Sequence, residues 1–135
     1  MIKLLKNFIA KEMFFLNRKE RRVKIKEINI LKELITIINQ YFPELINKFE
    51  GLTDLRNQSY VKYRMKVIFL VRLIGLMSGI QTMHGLTREL NTEEAIENIA
   101  QISGLELEEI PHCDTINDVF KNIKVEEIEQ IRKYM

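Results

Sequence analysis

The chain has a single cysteine, which excludes an internal disulfide framework and any multi-cysteine zinc module. Its two histidines, His84 and His112, stand far apart in sequence, which argues against a histidine-rich metal centre. Five glycines and two prolines in 135 residues leave little material for tight turns. An all-β sandwich or barrel, which wants a turn signal about every 8–12 residues, is therefore disfavoured. No long apolar run is present. The most hydrophobic stretch, Val67 to Leu76, spans about ten residues and contains Arg72, where a membrane span needs about 20. There is no glycine-rich phosphate loop. Lys11 and Glu12 break the opening apolar run and no small-residue cleavage site follows, so no secretory signal is expected. These absences predict a cytoplasmic protein with a reduced thiol at Cys113, no membrane partner and no small-molecule substrate.

What is present is ordinary in bulk. The chain is 46% hydrophobic and 30% charged, close to average soluble composition, and its length fits one domain. The order of the charges is less ordinary. The net charge of +2 conceals +7 over residues 1–26, −2 over 27–60, +5 over 61–88 and −8 over 89–135. A basic front set against an acidic back suggests that the front meets a polyanion, while the back stays solvated or meets a basic partner. Ordinary solvated helix faces account for the same pattern equally well.

Residues 2–16 read as a short basic amphipathic helix, with Leu5, Phe8 and Ile9 opposite Lys3, Lys6 and Lys11. Such a helix most simply docks on its own domain. A basic connector, Arg18 to Lys26, follows; it is a candidate phosphate-contacting arm and equally a solvated linker. From Glu27 to Phe42, the residues Ile28, Leu31, Leu34, Ile35, Ile38 and Phe42 recur at helical spacing. Pro43 stops that helix. Residues 60–77 predict a central helix, apolar nearly all round from its midpoint, with Tyr60 and Tyr63 on the face of Val67 and Leu70. Gly75 and Gly79 are four apart, as in close helix packing, although chance explains that spacing. Gly79 and Gly85 bracket a break that contains His84. Asn91-Thr92-Glu93-Glu94 makes a good helix start, with a capping residue followed by acids, and Gly104 fits its C-terminal cap. Asp114 or Thr115 can cap a further short helix, and a last one buries Val125, Ile128 and Ile131 with Arg132 and Lys133 at its negative end. The expected fold is all-α: a small bundle of about five to six helices around residues 60–77, with residues 1–26 as a basic helix and arm and 27–135 as the helical domain.

No catalytic residues are assigned. His112-Cys113-Asp114 contains the residue types of a nucleophilic set, but adjacent side chains splay apart. No second cluster in the sequence completes a metal site. Cys113 reads as a small buried apolar residue, and no metal ligand is assigned.

Several short motifs carry a resemblance. Leu52-Thr53-Asp54-Leu55-Arg56, then Tyr63 with the apolar run Met65 to Leu76, then Gly79, and finally Ile110-Pro111-His112-Cys113-Asp114-Thr115-Ile116-Asn117-Asp118-Val119-Phe120 occur in one order. From about Phe49 to Ile131 the chain resembles the N-terminal domain of DDE transposases of the H-repeat-associated type. Asp54, Arg56, Tyr63, Gly79, Pro111, Asp114, Thr115 and Phe120 are the matching motif positions. Leu55 departs from the family's usual proline, and Asn117-Asp118 from its usual serine and arginine.

The resemblance implies the non-catalytic front portion of a bacterial insertion-sequence transposase. The family's Asp-Asp-Glu set, which holds two divalent metals such as Mg2+ for in-line phosphoryl displacement, lies in a later RNase-H-like domain. This chain is therefore expected to be no enzyme as it stands, to hold no cofactor of its own, and to be truncated before the catalytic part. Implied partners are DNA and, through self-association or in trans, a catalytic domain. The candidate DNA contacts are Arg18, Lys19, Arg21, Arg22, Lys24 and Lys26 of the arm, with Lys62, Arg64 and Lys66. A helix-turn-helix over residues 93–122 is disfavoured, because its connector is about ten residues against the usual 3–4 and its second helix carries Asp114 and Asp118. The alternative is a helical protein–protein interaction module that binds no DNA.

Overall fold

The computed structural model describes residues 30–135 together with Asn17, Lys19 and Glu20. The helix predicted over residues 2–16 and the arm residues Arg18, Arg21, Arg22, Lys24 and Lys26 lie outside the described residues. Among the described residues the fold is all-α, with seven helices: α1 (Ile30–Tyr41), α2 (Leu45–Glu50), α3 (Met65–Met77), α4 (Met83–Leu90), α5 (Glu93–Ser103), α6 (Cys113–Asn122) and α7 (Val125–Tyr134).

Of the amphipathic stripe read from the sequence, Leu34 and Ile38 of α1 and Phe42 just after it are buried, while Leu31 and Ile35 are partly buried; Ile37, outside that stripe, is buried as well. α3 is the centre of the bundle. Leu76 is half-exposed, but Val67, Ile68, Leu70, Val71 and Ile74 are fully buried, and Met65 and Phe69 on the opposite side are nearly so. The reason is its four neighbours: α1, α2, α4 and α5 all pack against it. α6 leans on α4, and α7 on α2. Phe69 links the layers, with its ring centroid 5.3 Å from that of Phe49 on α2 and 4.7 Å from that of Phe120 on α6.

Val125, expected to be buried in the last helix, is 69% exposed at its first position. Three further local features differ from the pattern in the sequence. The helix predicted from residue 60 starts at Met65. Gln58–Tyr60 is a 3-10 turn, and Arg64 is extended (φ −68°, ψ 157°). Tyr60 is 85% exposed, so its spacing from Tyr63 was coincidental. The physical cause is tertiary: the Tyr63 carbonyl accepts a hydrogen bond from the Arg56 guanidinium rather than from a helical N–H. Second, α4 begins inside the break between Gly79 and Gly85 and runs on through Gly85; its N-cap Thr82 accepts a hydrogen bond from Gly85 N–H at 3.0 Å. Third, α6 begins before Asp114. His112 caps it, with its Nδ1 accepting from Asp114 N–H at 3.3 Å. The predicted Thr92 and Gly104 caps of α5 are both in place.

The two glycines of the Gly75/Gly79 pair serve different ends. Gly79 has φ +80° and closes α3. Its N–H donates to Leu76 O (3.2 Å), and Ile80 N–H donates to Gly75 O (2.8 Å), the double bond of a left-handed helix cap. Gly75 is a packing glycine: a Cβ there would lie 2.0 Å from Leu86 Cδ1 on α4. Leu86 is fully buried and has little room to yield. Gly75→Ala is expected to cost about 1–3 kcal/mol through overpacking, despite the roughly 1 kcal/mol helix preference of alanine. A urea midpoint equal to or above that of the wild type would contradict it.

Candidate nucleic-acid interface

Between α2 and α3 the chain runs through an irregular loop, residues 51–64, that carries three of the motif residues and two of the candidate DNA contacts. Asp54 and Arg56 organise it. Arg56 Nε donates to Asp54 Oδ1 at 2.8 Å and Nη2 to Oδ2 at 2.6 Å, a two-pronged pair that matches the planes of both groups. The same Nη2 donates to Tyr63 O at 2.8 Å. The pair is largely shielded, with side-chain exposures of 23% and 17%. Hydrogen bonding from Arg56 holds the Asp54 carboxyl below its ordinary pKa, outweighing the opposing effect of burial. The resemblance made Asp54, Arg56 and Tyr63 motif positions; the structure makes them one clasp that sets where α3 begins.

Tyr63 is buried, and its hydroxyl donates to Glu109 Oε1 at 3.2 Å. Burial raises its phenol above the ordinary value. Lys62 Nζ meets the same Glu109 oxygen at 2.6 Å, and that bond raises Lys62 and lowers Glu109. Arg64 Nη1 pairs with Glu50 Oε1 at 3.0 Å. Both basic side chains remain well exposed, while Lys66 is half-buried. Lys19 is exposed and helical, and its N–H donates to Asn17 Oδ1. The described part of the basic front therefore reaches solvent, but two of its charges are already matched by acids.

The remaining motif residues have framework positions. Pro111 is buried ahead of α6, Thr115 is half-buried in its first turn, Phe120 stacks on Phe69, and Gly79 caps α3. Asp114 is exposed. At the other end of the loop, Thr53 donates to Glu127 on α7 through both its N–H (2.8 Å) and its hydroxyl. These bonds lower Glu127 below the ordinary carboxylate value. A cleft of about 260 Å³ opens between the clasp and the C-terminal half of α6, lined by Asp54, Leu55, Arg56, Asp118, Asn122 and Ile123 among others.

The model of the DDE_Tnp_1-associated family matches residues 46–135. The chain belongs to that family. DDE_Tnp_1-associated domains are found in the N-terminal regions of DDE transposases. The match begins in α2 and covers every later helix, so all of the motif residues lie inside it. No curated protein and no solved structure matches the chain.

The two-metal chemistry of DDE enzymes needs several carboxylates around one point. Among the described residues the group of potential ligands close enough to share an ion is His112, Cys113 and Asp114, which contains one carboxylate. The acids of this domain are instead dispersed among separate partners: Asp54 with Arg56, Glu109 with Lys62, Glu127 with Thr53 and Glu129 with Arg132. That donor set does not fit the Asp-Asp-Glu centre. No helix among the described residues is long and apolar enough to cross a membrane.

Proposed function

We infer that this DDE_Tnp_1-associated domain is a non-catalytic module of an insertion-sequence transposase that helps the enzyme engage DNA at the element's ends. The observation that carries this reading is the family match over residues 46–135. The basic front supports the choice of DNA as partner, since phosphate neutralisation supplies most of the affinity of such modules. The contacts in this reading are Arg18, Lys19, Arg21, Arg22, Lys24 and Lys26, joined by Lys62, Arg64 and Lys66. The ion pairs at Lys62 and Arg64 are exposed, and exposed pairs contribute about 0–1 kcal/mol. DNA phosphates can therefore displace Glu109 and Glu50 at small cost. Divalent metal belongs to the catalytic domain in this reading, and the bacterial cytoplasm is the compartment where it acts.

The test is binding of random-sequence duplex DNA by fluorescence anisotropy across a salt series. The logarithm of affinity is expected to fall linearly with the logarithm of salt, by about 0.9 per phosphate contact. Arg21→Ala combined with Arg22→Ala should flatten that slope by about 2. Glu50→Gln combined with Glu109→Gln should tighten low-salt binding by freeing Arg64 and Lys62. Absence of binding at low salt would sink the DNA reading. A second reading, a protein–protein module for self-association or for holding a catalytic domain, is favoured by Leu55 and Tyr60, which are 63% and 85% exposed on one loop. Sedimentation that shifts with Leu55→Ser and Tyr60→Ser, without DNA binding, would select it.

A further inference from the structure

Cys113 opens α6 with 1% of its surface exposed. Its sulfur is nevertheless surrounded by polar ligand atoms from two helices. His84 Nδ1, on the second residue of α4, is 3.5 Å away. His112 Nδ1 is 3.7 Å away and Asp114 Oδ1 3.9 Å. His112 Nδ1 and Asp114 Oδ2 are themselves 3.3 Å apart. The ligand atoms of His112, Cys113 and Asp114 all lie within 4.8 Å of one another; His84 stands outside that group and approaches it at the sulfur. His84, His112 and Asp114 are exposed and Cys113 lies buried beside them, so an ion meets the imidazoles and the carboxylate before the sulfur.

These separations have a chemical meaning. With a zinc–sulfur bond of about 2.3 Å and zinc–nitrogen bonds of about 2.0–2.1 Å, a tetrahedral site has sulfur–nitrogen edges of about 3.6 Å and nitrogen–oxygen edges of about 3.3 Å. Both sulfur–nitrogen separations and the nitrogen–oxygen separation lie close to those edges; the sulfur–oxygen separation is a few tenths longer. One thiolate with two imidazoles and a carboxylate suits Zn2+, because sulfur and nitrogen donors disfavour the hard cations Mg2+ and Ca2+. We propose that His84, His112, Cys113 and Asp114 form a zinc site that clips α4 to α6.

Binding draws the His112 and His84 rings onto the ion from their present solvent-facing positions, and the Cys113 thiol loses its proton to solvent as the zinc–thiolate bond forms. The His112 bond to Asp114 N–H is given up or shared, so the ion takes over the task of holding the start of α6. The site is independent of the DNA-facing loop and of the reading given to it.

The experiment uses the full chain, reduced and stripped of metal by chelator. Zn2+ is titrated in competition with a chromophoric chelator, and Co2+ serves as the spectroscopic probe. One equivalent of Zn2+ is expected to bind and to raise the thermal midpoint, since a ligand that binds only the folded form stabilises it. Co2+ should give the intense visible bands of tetrahedral coordination with a sulfur-to-metal charge-transfer band. Cys113→Ser should abolish that band. His84→Gln alters an exposed side chain and should leave the metal-free fold intact, whereas His112→Gln also removes the α6 cap, so its metal-free thermal midpoint is measured as the reference; each should weaken Zn2+ binding at least about tenfold, because changes even outside the ligand shell commonly cost that much. Failure of the wild-type chain to compete for Zn2+ would overturn the proposal. So would Zn2+ binding that is unchanged in His84→Gln and His112→Gln, which would mean a buried thiol merely hydrogen-bonded to an imidazole and adventitious metal elsewhere.

Discussion

Phe69→Ala is expected to remove about 3–5 kcal/mol of folding stability, a large part of the roughly 5–15 kcal/mol that holds a domain of this size together. The ring is 6% exposed and stands between Phe49 and Phe120. Truncation therefore removes the transfer term of one aromatic side chain, leaves a cavity, and breaks two ring contacts at once. Each of those contacts adds about 0.5–1.5 kcal/mol beyond the area it buries. Because Phe49 belongs to α2 and Phe120 to α6, the cavity cannot close by the movement of one helix alone. Urea denaturation followed by circular dichroism measures the effect. Phe69→Leu should recover part of it by refilling the space. A loss below about 1 kcal/mol in Phe69→Ala would mean that the aromatic stack does not hold α2 and α6 to the central helix.

Arg56→Ala is the second large effect, at about 2–3 kcal/mol. Removing one partner of a fully buried ion pair costs about 3–5 kcal/mol. The lower figure here reflects the residual exposure of both side chains, 23% and 17%, which lets solvent screen the orphaned charge. Two groups lose their donor, the Asp54 carboxylate and the Tyr63 carbonyl. The substitution should therefore also loosen the start of α3, visible as faster amide exchange around Tyr63 and Met65. Adding Asp54→Ala to Arg56→Ala should restore part of the loss, because it removes the uncompensated carboxylate. A double mutant no more stable than Arg56→Ala would count against the clasp.

The same pair makes stability depend on pH with a definite sign. In the folded chain Asp54 has a pKa below its ordinary value of 3.8. Its carboxylate therefore contributes in full above that unfolded value, and the contribution is lost as the pH falls through the lower, folded value. Wild-type protein should lose stability on acidification below about pH 4. Arg56→Ala, which has already lost the bond, should lose less over the same window. An equal loss of urea midpoint in both proteins between neutral and acidic pH would show that other carboxylates dominate.

The helices that could be read from the sequence were those whose evidence was local. The stripe Leu34, Ile38 and Phe42, the caps at Thr92 and Gly104, and the nearly continuous apolar surface of residues 67–74 all depend on residues within one or two turns. The start of α3 could not be read that way. Tyr60, Tyr63 and Val67 have helical spacing, yet the guanidinium of Arg56 takes the Tyr63 carbonyl and holds the preceding residues extended. α4 was hidden for a related reason. Gly85 looks like punctuation, but in the fold it sits in the first turn of α4, its N–H held by the Thr82 cap.

The candidate site divides along the same line. The charge segregation and the motif positions were visible as letters. The pairing of Lys62 with Glu109 and of Arg64 with Glu50 was not, since these partners are brought together only by folding. His84 is a lone histidine in the sequence, with no partner of catalytic type nearby. Its approach to Cys113 requires α4 to exist and to pack against α6.

By itself, then, the sequence determined the all-α class, the central place of the apolar helix, and the basic front with its acidic back. Periodicity and net charge are properties of residue order, and they survive any choice of packing. Only the tertiary structure decided where α3 starts, why Gly75 must be small against Leu86, which basic groups are already matched, and that His84, His112, Cys113 and Asp114 share one corner of the molecule. Each of those depends on distances between residues far apart in the chain, and only packing sets such distances.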